Sequence, residues 1–231
     1  AEVIKIEPPT GDPARSFQQM LGGDMPNNPP FELDNRSKKS ISLDLVDPEG
    51  IRIALQLIDT ADVFVTNLRI GALERLGLGH ENLLKRNPRL IYGGISGYGT
   101  QGEDADRPAY DVAAFWARSG IASLLTPEGS DPPFQRGGMG DHGTGLAAAA
   151  AISAALYARE KTGEGQYVST SLYRQGAYTI GFDMNIALLW GMTLGVGKRE
   201  SMGNPAMNNY LAGDGKRFWI VGLEASRHWP P

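Results

Sequence analysis

Residues 137–145 read Gly137-Gly138-Met139-Gly140-Asp141-His142-Gly143-Thr144-Gly145, and an alanine-rich run, 146–156, follows at once. One acid therefore stands in a glycine loop where a helix begins. Glycines let backbone approach a ligand and leave N–H groups free to point at it. The helix N-terminus adds partial positive charge. Those are the needs of a carboxylate nucleophile, with Asp141 as the acid and the N–H groups of Gly138, Gly140 and Gly143 as donors to a developing oxyanion. Three other roles compete. For an isolated acid ahead of a helix, a plain N-cap is the commoner fate. Gly138-x-Gly140-x-x-Gly143 also fits a dinucleotide fingerprint, but Pro132-Pro133-Phe134-Gln135-Arg136 precedes it where a buried strand is required, and an acid inside the loop would repel a pyrophosphate. The third role is packing, with the alanines letting the helix lie tight against a sheet, which is compatible with catalysis.

Few other residues offer chemistry. His142 adjoins Asp141, but neighbouring side chains point apart, and a packed or exposed histidine is the commoner reading. His80 and His228 are isolated, and no His/Asp/Glu group has metal-ligand spacing, so no metal is expected. Cysteine is absent, which excludes disulfides, thiolate metal sites and cysteine nucleophiles and fits a cytoplasmic enzyme. Gly195-Val196-Gly197-Lys198 is a poor phosphate loop, since Arg199 stands where Ser or Thr is required.

The elements that must position Asp141 follow from a chain of 231 residues, 41% hydrophobic and 21% charged, enough for a full core and one or two domains. A net charge of −4 shows no basic excess, so no nucleic-acid partner is expected. No apolar run approaches the ~20 residues that span a bilayer, so no membrane partner is expected either. The chain opens without Met in a strand-like run and closes on Trp229-Pro230-Pro231, which predicts a piece of a longer polypeptide. Strands are predicted at 3–6, 40–45, 63–65, 90–95 and 167–172. Asp47-Pro48-Glu49-Gly50 opens a helix with Pro in its first turn, and shorter helices are predicted at 71–76 and 81–86. Residues 10–35 read mostly as loop. Residues 111–120 read as an apolar helix, 174–190 as one long helix, and 210–223 as a hairpin around Asp214-Gly215. Helices alternating with short buried strands predict an α/β fold with a mostly parallel sheet. The predicted domains are 1–175, large and catalytic; 176–200, a linker helix and loop; and 201–231, the start of a smaller α+β domain.

Several stretches, in this order, resemble the family III CoA-transferases, the carnitine-dehydratase and racemase-like group. They are Val3–Glu7, Asn35–Leu45, Ala61–Arg69, Gly71–Gly77, Asn87–Tyr92, Gly97-Tyr98-Gly99, Pro108-Ala109-Tyr110-Asp111, the glycine loop and Lys161–Gln166. The resemblance implies that the family's first strand and helix, and everything after the small domain's first hairpin, are to be expected outside these residues. The resemblance implies a Rossmann-like large domain, an interlocked homodimer, and transfer of CoA between an acyl-CoA and a free carboxylic acid. It implies that Asp141 attacks the thioester, giving an aspartyl–acyl anhydride and a CoA thiolate. CoA, a substrate and not a resident cofactor, is then expected to contact Leu43, Asn67, Leu68, Arg69, Arg75, Pro108, Ala109, Tyr110 and Asp111, with Arg69 and Arg75 on phosphate oxygens. For each arginine a solvated helix face competes. Tyr98, Tyr110, Phe115, Trp116 and Met139 are candidates for an acyl pocket against the commoner core role.

Tyr110 separates the branches. Racemases of this group carry His there, paired with the aspartate to move an α-proton. A phenol, ordinarily ionising near ~10, replaces imidazole poorly. The transferase reading is therefore preferred to an α-methylacyl-CoA racemase or epimerase. A non-catalytic CoA-binding module is the alternative from another class.

Overall fold

The computed structural model describes residues 1–20, 22–23 and 26–228; the closing Trp229-Pro230-Pro231 lies outside them. In chain order the elements are β1 (Val3–Glu7), α1 (Phe17–Met20), α2 (Pro29–Asn35), β2 (Lys38–Ser42), α3 (Pro48–Asp59), β3 (Val63–Thr66), α4 (Ile70–Arg75) and α5 (His80–Arg86). Then follow β4 (Ile91–Ser96), a π-helical segment (Val112–Ala117), α6 (Ile121–Leu124), α7 (Met139–Thr162), β5 (Gln166–Ser171), α8 (Leu172–Thr179), α9 (Gly181–Trp190), β6 (Met207–Leu211), β7 (Arg217–Val221) and α10 (Ala225–His228). They form two compact units, one of residues 1–108 and 144–171, the other of residues 109–143 and 172–231. Residues 109–143, which the sequence places in the 1–175 domain, fall in the second unit.

The first unit is α/β with parallel strands. β1 pairs with β2, and β3, β4 and β5 form a sheet with β4 in the centre. β4 is apolar at Ile91 and Tyr92 and then turns to Gly93 and Gly94, which leave room for a close neighbour. That neighbour is α7: a Cβ on Gly93 would lie 3.0 Å from Ile152 Cδ1. Ala148 and Ala155 are buried on the same face of α7, so the alanine run does bring the helix close to a sheet. Arg159, 8% exposed, ends this stripe. Its guanidinium donates to Asp62 Oδ1 (2.9 Å) and to the Arg89 carbonyl (3.0 Å), fastening the helix to the segments that enter β3 and β4. The core gathers Ile58, Leu73, Leu78, Leu83, Leu90 and Tyr92. The Tyr92 hydroxyl donates to the Leu78 carbonyl (3.0 Å), so this buried phenol is satisfied.

The second unit holds the π-helical segment, α6 and α8–α10, with the antiparallel hairpin β6–β7 closing at Asp214-Gly215 as its turn residues predict. The Arg118 N–H donates to the Ala113 carbonyl, five residues back, which makes 112–117 a wide π turn and not the α-helix expected. The predicted 174–190 helix is two helices. Ile180, at φ −102° and ψ 21°, breaks it ahead of Gly181.

The described residues between 10 and 35 hold more than loop. Asp12 caps a 3₁₀ turn at Pro13–Ser16, and Asn28 caps α2, each with Pro just inside the helix start. Part of the Pro/Asn/Asp content that suggested loop is capping chemistry. Glu7, 5% exposed, holds this segment to β1. It accepts from Arg15 Nε and Nη2 (both 2.8 Å), from Ser40 Oγ (3.0 Å) and from the Asp12 N–H (3.2 Å). The Arg15 hydrogen bonds, opposed by burial and helped by Ser40, Asp12 and Lys5, hold the Glu7 carboxyl down at about 2.

A folded-state value below the unfolded one contributes stability that is complete above about 4.5 and is lost as pH falls toward about 2. Arg15→Ala is expected to remove this contribution and leave a buried carboxylate under-satisfied, costing about 1–3 kcal/mol at neutral pH. Urea unfolding at pH 7 and pH 3 checks this. The variant's deficit against wild type should shrink at the lower pH; an equal deficit at both would detach it from Glu7 ionisation.

Candidate active site

The glycine segment is not a loop up to residue 145, as the sequence suggested; only Gly137 and Gly138 precede the helix. Helix α7 starts at Met139, and Asp141 lies in its first turn with Gly143 and Gly145 already inside it. The His142 N–H donates to the Gly138 carbonyl (2.9 Å), the first bond of the helix ladder. Gly138 is therefore the N-cap, with φ +75°, which glycine adopts without cost. Asp141 sits three residues further and is not a cap. The His142 ring folds back over Gly138, 3.1 Å from where a Cβ would stand.

The cap is supplied from outside the helix. Asp111 Oδ2 accepts from the N–H groups of Gly140 (3.1 Å) and Asp141 (3.3 Å). Its other oxygen accepts from Gln135 Nε2 (2.7 Å). A charge-assisted acceptor on two helix-terminal amides satisfies donors that the helix cannot. Asp111 stands at the head of the π-helical segment, and Phe115, buried within that segment, approaches the same glycine. A Cβ on Gly140 would overlap both Asp111 Oδ1 and Phe115 Cγ. Behind the segment, a Cβ on Gly176 of α8 would lie 2.5 Å from Ser119 Cβ and 2.7 Å from the Phe115 carbonyl oxygen. Ser119 Oγ donates to that carbonyl. The π-helical segment therefore sits between two close glycine contacts.

Asp141 itself is exposed, as are Met139 and His142. Among the described residues, and its two chain neighbours aside, nothing stands within 4 Å of the Cβ position of Gly137. The N–H of Gly140 is engaged by Asp111, and that of Gly143 lies within the helix ladder. Tyr110 is 84% exposed, and its carbonyl accepts from Ala113 and Ala114 (both 3.0 Å). Within the second unit, then, Tyr110, Asp111, Gly138, Gly140 and Asp141 cluster at the head of α7. Of the acyl-pocket candidates, Phe115 and Trp116 are core residues, 4% and 7% exposed, and the Trp116 indole donates to the Pro133 carbonyl (3.1 Å). Gln135, which holds Asp111, escaped sequence reasoning because nothing local distinguishes it from a loop residue.

The first unit carries the other positions. Leu43 is buried directly after β2, its N–H donating to the Glu7 carbonyl (2.9 Å). Asn67, Leu68 and Arg69 are exposed in the turn after β3, where the Leu68 N–H donates to Thr66 Oγ1 (3.2 Å). Arg69 is the N-cap residue of α4, and Arg75, exposed in its last turn, reaches back along Gly71. These positions follow the carboxyl ends of parallel strands, where α/β folds bind ligands. Pro108 is exposed, and Ala109, in the second unit, is half-buried. Among the described residues, no three or more His, Asp or Glu side chains gather as a metal site, and no helix is long and apolar enough to cross a membrane.

The sequence profile of CoA-transferase family III matches residues 1–231. (R)-2-hydroxy-4-methylpentanoate CoA-transferase of Clostridioides difficile is 38% identical over 95% of this chain and 55% of its own length. Cinnamoyl-CoA:phenyllactate CoA-transferase of Clostridium sporogenes is 36% identical over 93% of this chain and 53% of its own. The crystal structure of a CAIB/BAIF family protein from Brucella suis superposes with a TM-score of 0.82 at 31% identity, covering 96% of this chain and 58% of that one. The chain thus spans about half the length of the curated relatives it matches.

Gly140→Ala gives a test of the helix-head geometry that needs no substrate. Alanine normally stabilises a helix interior by about 1 kcal/mol over glycine. Here the added methyl must displace Asp111 or Phe115, and a net loss of about 1–3 kcal/mol is expected. Thermal or urea unfolding reads the sign; a stabilised variant would show that the close approach does not exist.

Proposed function

The chain belongs to the family III CoA-transferases, and on that premise we propose that it moves CoA between an acyl-CoA thioester and a free carboxylic acid, with Asp141 as the nucleophile. The observation that carries the reading is an exposed carboxylate in the first turn of a helix, behind Gly137 and Gly138, with its backbone held by Asp111. A carboxylate oxygen of Asp141 adds to the thioester carbonyl, the C–S bond breaks, and CoA leaves as the thiolate while the acyl group stays on Asp141 as an anhydride. Return of the thiolate to the aspartyl carbonyl releases the first acid, and the acceptor carboxylate then runs the same steps in reverse.

The tetrahedral oxyanion needs donors, each worth about 3 kcal/mol in well-formed holes. Gly140 and Gly143 have their N–H groups engaged in the resting helix, so Gly138 is the preferred donor of the three. CoA is assigned to Leu43, Asn67, Leu68, Arg69, Arg75, Pro108, Ala109 and Tyr110, with the two arginines toward phosphate. The Rossmann-like character of the large domain and the interlocked homodimer belong to the same proposal. The acid is sought with a panel of acyl-CoA donors against acceptors that include 2-hydroxy-4-methylpentanoate, phenyllactate and oxalate, substrates named in relatives.

Asp141→Ala is expected to abolish transfer while leaving CoA binding and the melting temperature near wild type. With wild-type protein and acyl-CoA, hydroxylamine should convert Asp141 to a hydroxamate, seen as a mass change on the peptide spanning residues 137–145. Near-normal turnover of the variant, or a label on another residue, would sink the mechanism.

Tyr110 supplies a second test. A 2-methylacyl-CoA in deuterated water should show no α-hydrogen exchange at rates comparable with transfer, because position 110 lacks an imidazole. Exchange without an acceptor acid would instead favour a racemase.

A further inference from the structure

The resemblance assigned Asp111 to CoA, but its carboxylate is committed elsewhere. One oxygen takes the amides of Gly140 and Asp141, the other takes Gln135, and Phe115 and Gly140 close around it. We infer that Asp111 is a positioning residue: it fixes the first turn of α7, and so the direction of the Asp141 side chain, and it is not a contact for CoA. This rests on Asp141 being the nucleophile proposed above. Three observations support it. The two amides accepted are those of Asp141 and of the residue before it, so the interaction orients the backbone that carries the carboxylate. Gly140 admits no side chain, because Asp111 and Phe115 occupy that space. The segment that presents Asp111 is a π turn backed by the close approach of Gly176, a costly backbone form that recurs at functional sites.

Asp111→Asn and Asp111→Ala separate the two roles. Asparagine keeps an oxygen that can accept from both amides. It then turns its NH₂ toward Gln135, whose Oε1 is buried and has no hydrogen-bond partner among the described residues; a flip of the Gln135 amide would pair the two. Alanine removes the acceptor. A misplacement of the nucleophile by ~1 Å costs about 10²-fold in rate. The expected result is therefore a kcat lowered about 100-fold in Asp111→Ala, with KM for acyl-CoA within about twofold of wild type, and recovery to within about tenfold in Asp111→Asn. Amide hydrogen exchange read in the same proteins needs no turnover. Protection of the Gly140 and Asp141 amides should be lost in the alanine variant and kept in the asparagine variant. A raised KM with unchanged kcat would overturn the inference in favour of a CoA contact, as would unchanged exchange in Asp111→Ala. If wild type yields no hydroxamate at Asp141 while the exchange pattern is as expected, the transferase mechanism fails and the helix-positioning role of Asp111 stands.

Discussion

A carboxylate that accepts from two amides at the head of a helix fixes where the helix starts and where its first side chains point. Asp111 does this for α7, thirty residues further along the chain. Much of the second unit's local geometry follows from it. Gly140 lacks a side chain because Asp111 and Phe115 fill the space. The π turn at 112–117 brings Phe115 to the same glycine that Asp111 caps. Gly176 lets α8 close on the far side of that turn. Removing the Asp111 carboxylate would leave two helix-terminal donors without an acceptor and a gap beside Gly140, each disfavoured on its own.

The first unit shows the same economy in apolar form. Gly93 and the buried alanines of α7 set the distance between helix and sheet, and Arg159 ends the stripe with hydrogen bonds to Asp62 and Arg89. Helix α7 contributes residues 139–143 to one unit and 144–162 to the other. The same segment thus carries a close-packing stripe along its length and, at its head, the exposed carboxylate proposed as the nucleophile. Small residues serve both ends, for different reasons: alanine where a sheet must come near, glycine where a carboxylate and an aromatic ring must.

Where structure is made locally, it was legible in the sequence. Asp47-Pro48 opens α3, with Asp47 accepting from the Glu49 N–H as its residue type suggests, and Asp214-Gly215 turns the β6–β7 hairpin. The parallel strands were readable from short apolar runs separated by helices. What could not be read depends on partners far apart in the chain. Asp111 follows Pro108-Ala109-Tyr110 and looks like one more motif residue; nothing near it points to the amides of Gly140 and Asp141. The π turn is equally hidden, since an apolar run such as Val112–Ala117 suits either hydrogen-bond register. The glycines around Asp141 suggested a loop because glycine is costly within a helix. At Gly140 the compensating factor is the tertiary approach of Asp111 and Phe115, which lies outside any local window.

Asp111 also bears on the chemistry proposed for Asp141. A bare helix N-terminus favours a nearby anion by about 0.3–1 kcal/mol at an exposed position, and a stabilised carboxylate is a poorer nucleophile. The Asp111 carboxylate, lying on the same amides, opposes that stabilisation with a charge of the same sign. At an exposed site both electrostatic contributions are screened by solvent and salt. Orientation is not screened: if Asp141 is the nucleophile as proposed, losing it carries a ~10²-fold cost, equivalent to about 3 kcal/mol of barrier. On that proposal the helix head serves Asp141 more as a mount than as a source of positive charge. In the proposed mechanism, stabilisation of the oxyanion then falls to donors other than the amides Asp111 already holds, and among the glycines flanking Asp141 that leaves the N–H of Gly138, which stands ahead of the helix ladder.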